Sequence, residues 1–255
     1  MVYLKLMNIE NCHWVHIMQV LNCSIGSGSA SEEVPIYNHS SKINIEIKID
    51  DIVPLGEECC TCQFIDSKFN EATKTLRKYA LPFDYVGHTF VEQILEKIRT
   101  EKGIENEIVT KQFGSDYFYY DSKFGFCYWH DIKYSNPTLF QQNELETFKT
   151  KYNRRYERLY SLINSDKNVC FITVQHFDKI YNNVEEDSNI MNLYTYLSNK
   201  NSNCILIAIN FIQDCKQINN CFFVNLNFLK TDIFEESKLS FQQSLKVFYN
   251  TIFIE

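Results

Sequence analysis

Three short stretches of this chain carry side chains suited to covalent or proton-transfer chemistry: LGEEC at 55–59, LPFDY at 81–85 and WHD at 129–131. The first is the most informative. Ile52, Val53 and Leu55 form a short apolar run that reads as a buried strand. Gly56 then permits a sharp turn, and Glu57 and Glu58 suit the first turn of a helix, where negative charge meets the positive end of the dipole. Cys59 falls at that helix start. A thiol there is acidified by the dipole, and the thiolate is the nucleophile of cysteine chemistry. The two glutamates oppose the thiolate, because like charges repel, so a histidine has to supply most of the activation. The plain alternative is that Cys59, Cys60 and Cys62 are small core residues, since free cysteine is among the most buried residue types.

His130 is the first candidate partner, with Asp84 and Asp131 as carboxylates near it. His88 and His176 stand in reserve, whereas His13 and His16 read as half-exposed strand positions. Cys59-x-x-Cys62 at a strand–helix junction also permits a dithiol oxidoreductase, although no Gly-Pro lies between the two cysteines. A zinc site would need a second ligand pair at compact spacing; the other cysteines are scattered singly, so no metal is expected. Arg154, Arg155 and Arg158 share one helix, as a solvated face or with one guanidinium turned inward toward Asp84 or Asp131. Neither G-x-x-x-x-G-K-[ST] nor G-x-G-x-x-G occurs, so no nucleotide cofactor is expected.

The elements that must position these residues follow from periodicity. NIEIKIDDIVPLG reads as strand, turn and strand, and 59–78 as a helix. ALPFDYVGH is expected to be extended, because Pro82 biases Leu81 away from the helical region. TFVEQILEKIRTEKG is an amphipathic helix with Phe90, Val91, Ile94, Leu95 and Ile98 on one face, stopped by Gly103. DYFYYDSKFGFCYWHDI gives two strands joined by a turn at 121–125. A long helix follows, with Leu145, Phe148, Tyr152, Tyr156, Leu159 and Ile163 near helical spacing. The runs at 168–174, 203–210 and 221–229 are near-continuously apolar, as strands buried on both faces are, and helices are expected at 187–199 and 238–252. The alternation predicts an α/β fold, a three-layer sandwich with a mostly parallel central sheet. Functional side chains of such sheets gather at the carboxyl ends of strands, where Gly56–Cys59 lies. The polar GSGSASEE at 26–33 divides the chain into an N-terminal β segment with its connector (1–40) and an α/β domain (41–255). Residues 1–25 should pack as strands apart from the central sheet.

Composition sets the outer bounds. The chain has 255 residues, 45% of them hydrophobic and 22% charged, as in an ordinary globular domain. A net charge of -7 and a pI near 5.5 argue against nucleic-acid partners. No apolar run reaches membrane-helix length, and the first residues lack the apolar core of a signal peptide. With ten cysteines, this predicts reduced thiols and a cytoplasmic location.

The order LGEEC (55–59), LPFDY (81–85), WHD (129–131) and KYNRRYERL (151–159) resembles a family called the putative papain-like cysteine peptidases, over about residues 50–230. The chain departs from papain itself: C-G-[SA]-C-[WY] is missing, Tyr85 stands where relatives commonly have Trp, and Cys59 to His130 spans 71 residues (130 − 59). The resemblance implies a thiol hydrolase or acyltransferase acting on a peptide or acyl substrate. Cys59 would be the nucleophile and His130 its base. Asp84 is the better candidate to orient the imidazole, because Asp131 neighbours His130 on a strand and faces the other side. Asp131 would then hold structure, and backbone N–H groups at the helix start would form the oxyanion hole. A catalytically inert α/β interaction module is the alternative from another class.

Overall fold

The computed structural model describes residues 2–7, 44–56, 62, 79–84, 86–87, 89–105, 107–113, 116–129, 131, 142–174, 185–209 and 216–224. Ten strands lie in this part: β1 (Val2–Met7), β2 (Asn44–Ile49), β3 (Asp51–Pro54), β4 (Ile108–Phe113), β5 (Asp116–Asp121), β6 (Phe126–Tyr128), β7 (Val169–Val174), β8 (Ile205–Ile209), β9 (Lys216–Ile218) and β10 (Cys221–Val224). Its helices are α1 (Val91–Thr100), α2 (Gln142–Ile163) and α3 (Glu185–Lys200). Among the described residues no helix is long and apolar enough to cross a membrane.

The central sheet has the order β3-β7-β8-β10-β9; β3, β7, β8 and β10 run parallel and β9 returns antiparallel at the edge. The apolar runs behave as their composition requires. Register aligns Val53, Phe171, Leu206 and Cys221 in one row across the sheet, and Pro54, Ile172, Ile207 and Phe222 in the next. Residues in both rows are buried, so both faces of the sheet are withdrawn from water. This is the three-layer α/β arrangement with a mostly parallel centre. The first row joins a continuous core with Ile94 and Ile98 of α1, Tyr156, Leu159 and Ile163 of α2, and Leu193 and Leu197 of α3.

Beside it stands a smaller antiparallel sheet, β4-β5-β6. Gly125 takes φ +77° at the turn between β5 and β6, and the Asp121 carboxylate closes that turn by accepting from the Lys123 and Phe124 amides at 3.1 and 3.2 Å. The third ladder is β1 against β2, antiparallel and apart from the central sheet. β2 and β3 are one extended segment bent at Asp50. There the Asp50 amide donates to the Asn168 carbonyl (2.9 Å) and its carboxylate accepts from the Asn168 amide (3.1 Å), which prolongs the β3–β7 pairing past the strand. The connector at 26–33 and the helix expected at 238–252 lie outside the described residues, as does that expected at 59–78 apart from Cys62.

Two expectations are corrected. Residues 82–84 form a turn, not an extended segment. Pro82 takes the second position of that turn, for which its fixed φ suits it, and the Asp84 carboxylate accepts from the Leu81 amide at 2.9 Å. The α1 helix ends at Thr100, before Gly103. Gly103 serves another end: a Cβ there would stand 2.5 Å from Asn153 Oδ1, which accepts from the Ile104 amide. What closes α1 is a pair of phenols, Tyr160 and Tyr196, which donate to the Ile98 carbonyl at 2.9 and 3.0 Å. They satisfy a carbonyl left over at the helix end and tie all three helices together.

Lys97 is fully buried on α1. Its ammonium lies 2.5 Å from Glu101 Oε2 and 3.6 Å from Asp121 Oδ2, above the rings of Phe124 and Tyr156. Lys123 completes the group at 2.7 Å from Glu101 Oε1. Removing one partner of such a cluster leaves the others as buried uncompensated charge, so Lys97→Met should lower the unfolding free energy by about 3–5 kcal/mol. Urea unfolding measures this; Lys123→Met, at a 45% exposed side chain, should cost far less.

Acidification reads the β2–β3 bend. The hydrogen bond from the Asn168 amide lowers the Asp50 pKa below its ordinary 3.8. A depressed carboxylate contributes stability above the unfolded-state value and loses it as pH falls through the folded one. Urea midpoints for wild type and Asp50→Asn should therefore differ at pH 6 and converge below about pH 3.8.

Candidate functional site

Cys59 and His130 lie outside the described residues, as do His88 and His176. The structure describes the segments that lead into Cys59 and His130, and the two acids. β3 pairs with β7 through Pro54, and the Leu55 amide still donates to the Ile172 carbonyl at 2.7 Å. At Gly56 the carbonyl accepts from the hydroxyl of Thr89, which is wholly buried. Two residues earlier, Gly87 forms an antiparallel bridge with Cys127 of β6, through amide–carbonyl bonds of 2.9 and 3.2 Å. A Cβ on Gly87 would stand 2.6 Å from the Trp129 indole nitrogen, so only glycine admits the ring at this distance. Trp129 stacks on Phe118 with centroids 3.9 Å apart. Thr89 thus touches the chain that runs on to Cys59, and Gly87 the chain that runs on to His130.

Asp84 opens this segment and is 1% exposed. Phe83 beside it packs edge-on against Phe126 and Tyr156, at 5.7 and 5.9 Å, which anchors the turn between β6 and α2. Asp131 is held differently. Both of its carboxylate oxygens are engaged from α2: Lys151 donates to Oδ1 and the Tyr152 hydroxyl donates to Oδ2, the latter at 2.7 Å. Burial first, and the Asp131 charge next, push the Tyr152 phenol well above its ordinary pKa of 10, so it remains a hydrogen-bond donor. Tyr128 and Tyr156 are also raised well above 10, with burial the main cause.

The arginines divide. Arg154 is exposed, Arg155 lies over the Tyr152 ring at 4.7 Å, and Arg158 donates to the Ala80 carbonyl at 3.3 Å. At Asp131 the contact that the sequence left open to an arginine is made by Lys151 and Tyr152. Tyr152 was legible only as a core position on the helix face, and nothing in the sequence distinguished its phenol from that of Tyr156. Thr89 carried no signal beyond a small polar residue ahead of a helix. The described cysteines are buried thiols. Burial raises Cys127, pushes Cys204 up to about 12 and raises Cys170 further still. Cys62 has helical backbone and is fully buried.

Comparison with known proteins gives one match. A sequence model of the family described as "Putative papain-like cysteine peptidase (DUF1796)" matches residues 50–217, which is 168 of the 255 residues (217 − 50 + 1). Neither the curated proteins nor the solved structures contain a match to the chain.

The buried phenols supply a pH test. A raised phenol contributes stability that is complete below the unfolded-state value of about 10 and is lost as pH rises through the folded one. In an absorbance titration at alkaline pH, Tyr128, Tyr152 and Tyr156 should ionise only together with loss of the aromatic circular-dichroism signal, while exposed tyrosines ionise earlier. Tyr152→Phe should cost about 1.5–3 kcal/mol, because it removes a hydrogen bond to a charged carboxylate.

Proposed function

Because this chain belongs to the putative papain-like cysteine peptidase family, we propose that it is a thiol hydrolase or acyltransferase in which Cys59 attacks a carbonyl carbon and His130 moves the proton. In this reading the imidazole takes the Cys59 proton, the thiolate forms a thioester with the acyl group, and His130 returns the proton to the leaving group. Water or a second nucleophile then releases the acyl group and regenerates the thiol. Asp84 orients the imidazole, and Asp131 fixes the backbone next to His130. The substrate is a peptide or another acyl compound.

One observation carries the proposal. The stretches that lead to the candidate residues are linked: Thr89 holds Gly56, three positions before Cys59, and Gly87 holds Cys127, three positions before His130. Three residues reach about 10 Å when extended, so the two side chains can come within a proton transfer of each other. The Asp131 clamp supports the division of labour between the two acids. A carboxylate whose two oxygens already serve Lys151 and Tyr152 has little left for an imidazole.

A thiol-directed alkylating probe near neutral pH tests the proposal. Cys59 should label selectively, while Cys127, Cys170 and Cys204, held protonated by burial, label only on unfolding. His130→Ala should slow Cys59 labelling by about a hundredfold or more, the usual contribution of a positioned base, and Asp84→Asn should slow it by a smaller factor. Labelling of Cys59 at the rate of the buried thiols would sink the reading.

A further inference from the structure

Gly87 and Thr89 contact the end of β3 and the end of the β5–β6 hairpin directly, and each of these contacts is specific. On one side, the Thr89 hydroxyl donates to the Gly56 carbonyl across 33 positions of sequence, inside the protein. Gly56 lies just past the last described sheet bond of β3, and among the described residues its buried carbonyl takes its proton from the Thr89 side chain. On the other side, Gly87 accepts the Trp129 ring at a distance that no side chain allows, while its amide and carbonyl pair with Cys127. Val86, between Asp84 and Gly87, is completely buried and belongs to the main core, so the segment is anchored and does not slide.

We propose that Gly87 and Thr89 form a positioning device for the Cys–His site, with Thr89 fixing the end of β3 at Gly56, ahead of Cys59, and Gly87 fixing the register of β6, ahead of His130. This rests on the function proposed above and adds two positioning residues to it. Neither residue touches the reacting atoms in this scheme. Thr89 sets where the chain leaves β3, and Gly87 sets how closely Trp129 approaches. Misplacement of reacting groups by about 1 Å can cost a hundredfold in rate, so small shifts at either contact are visible in chemistry.

The test is the pH dependence of Cys59 alkylation by iodoacetamide in wild type, Thr89→Val, Thr89→Ser, Thr89→Ala and Gly87→Ala, with far-ultraviolet circular dichroism to establish folding. Thr89→Val keeps the shape and removes the proton; it should slow Cys59 labelling by about tenfold and displace the pH midpoint of the reaction, and Thr89→Ser should restore both. Gly87→Ala should slow labelling by a similar factor and alter Trp129 fluorescence. If Thr89→Val does not fold, Thr89→Ala, which opens space beside the Gly56 carbonyl, takes its place, and the comparison with Thr89→Ser is unchanged. A wild-type pH profile in every folded variant overturns the proposal, since a purely structural role would change stability and leave the profile in place. If wild-type Cys59 itself fails to label selectively, the function proposed above has failed and not merely the role of this segment.

Discussion

An ammonium group with no access to water is tolerable only if its surroundings replace the water, and at Lys97 they do so from three elements at once. Glu101 comes from the end of the same helix, Asp121 from the β5–β6 hairpin, and the Tyr156 ring from α2. None can move without exposing the charge to an uncompensated interior. The small antiparallel sheet is thereby fixed against α1 and α2. The same hairpin continues into Trp129 and Asp131, so the placing of the WHD stretch depends on this buried charge as well as on apolar packing.

The central sheet was easy to read because its strands need no alternation. Residues 169–172, 205–209 and 221–223 are apolar on both faces, and both faces are covered. The long α2 helix was equally plain, since Phe148, Tyr152, Tyr156 and Leu159 recur at helical spacing and all are buried. Strands β4 and β9 escaped the sequence reading for opposite reasons. IVTKQF mixes exposed Lys111 and Gln112 with apolar residues too few to mark a period, and KQI is only three residues long. A signal for β9 was present in Asn219-Asn220, where Asn219 takes φ +54°, a conformation that asparagine tolerates better than most residues. Lys97 was hidden because charged residues are read as solvent-facing; its spacing of three from Ile94 and four to Glu101 was the only hint.

For the candidate site, the sequence supplied residues but not their partners. Asp131 could be guessed as structural from strand alternation, yet its engagement by Lys151 and Tyr152 depends on how α2 crosses the hairpin, a tertiary fact. The stretches that carried the family resemblance meet in space in ways their order does not reveal: Asp131 against Lys151 and Tyr152, and Phe83 against Tyr156. KYNRRYERL therefore acts as the brace on which the other two stretches rest.

The pairing of β3 with β7 has a consequence for how the chain is made. Asp50 and Asn168 meet across 118 positions, and between them lie α1, the antiparallel sheet and α2, which are built mainly from closer contacts. A ribosome emits β3 early, but its only neighbour in the described sheet does not exist until Val174 has been added. During that interval the strand leading to Cys59 is an unpaired apolar edge, the kind of segment that invites pairing with other chains. The intervening elements can fold in the meantime on their shorter loops, whose closure costs less entropy. The end of β3 at Leu55 is paired only when β7 arrives, so a chain interrupted before that strand carries the cysteine without the sheet that supports it.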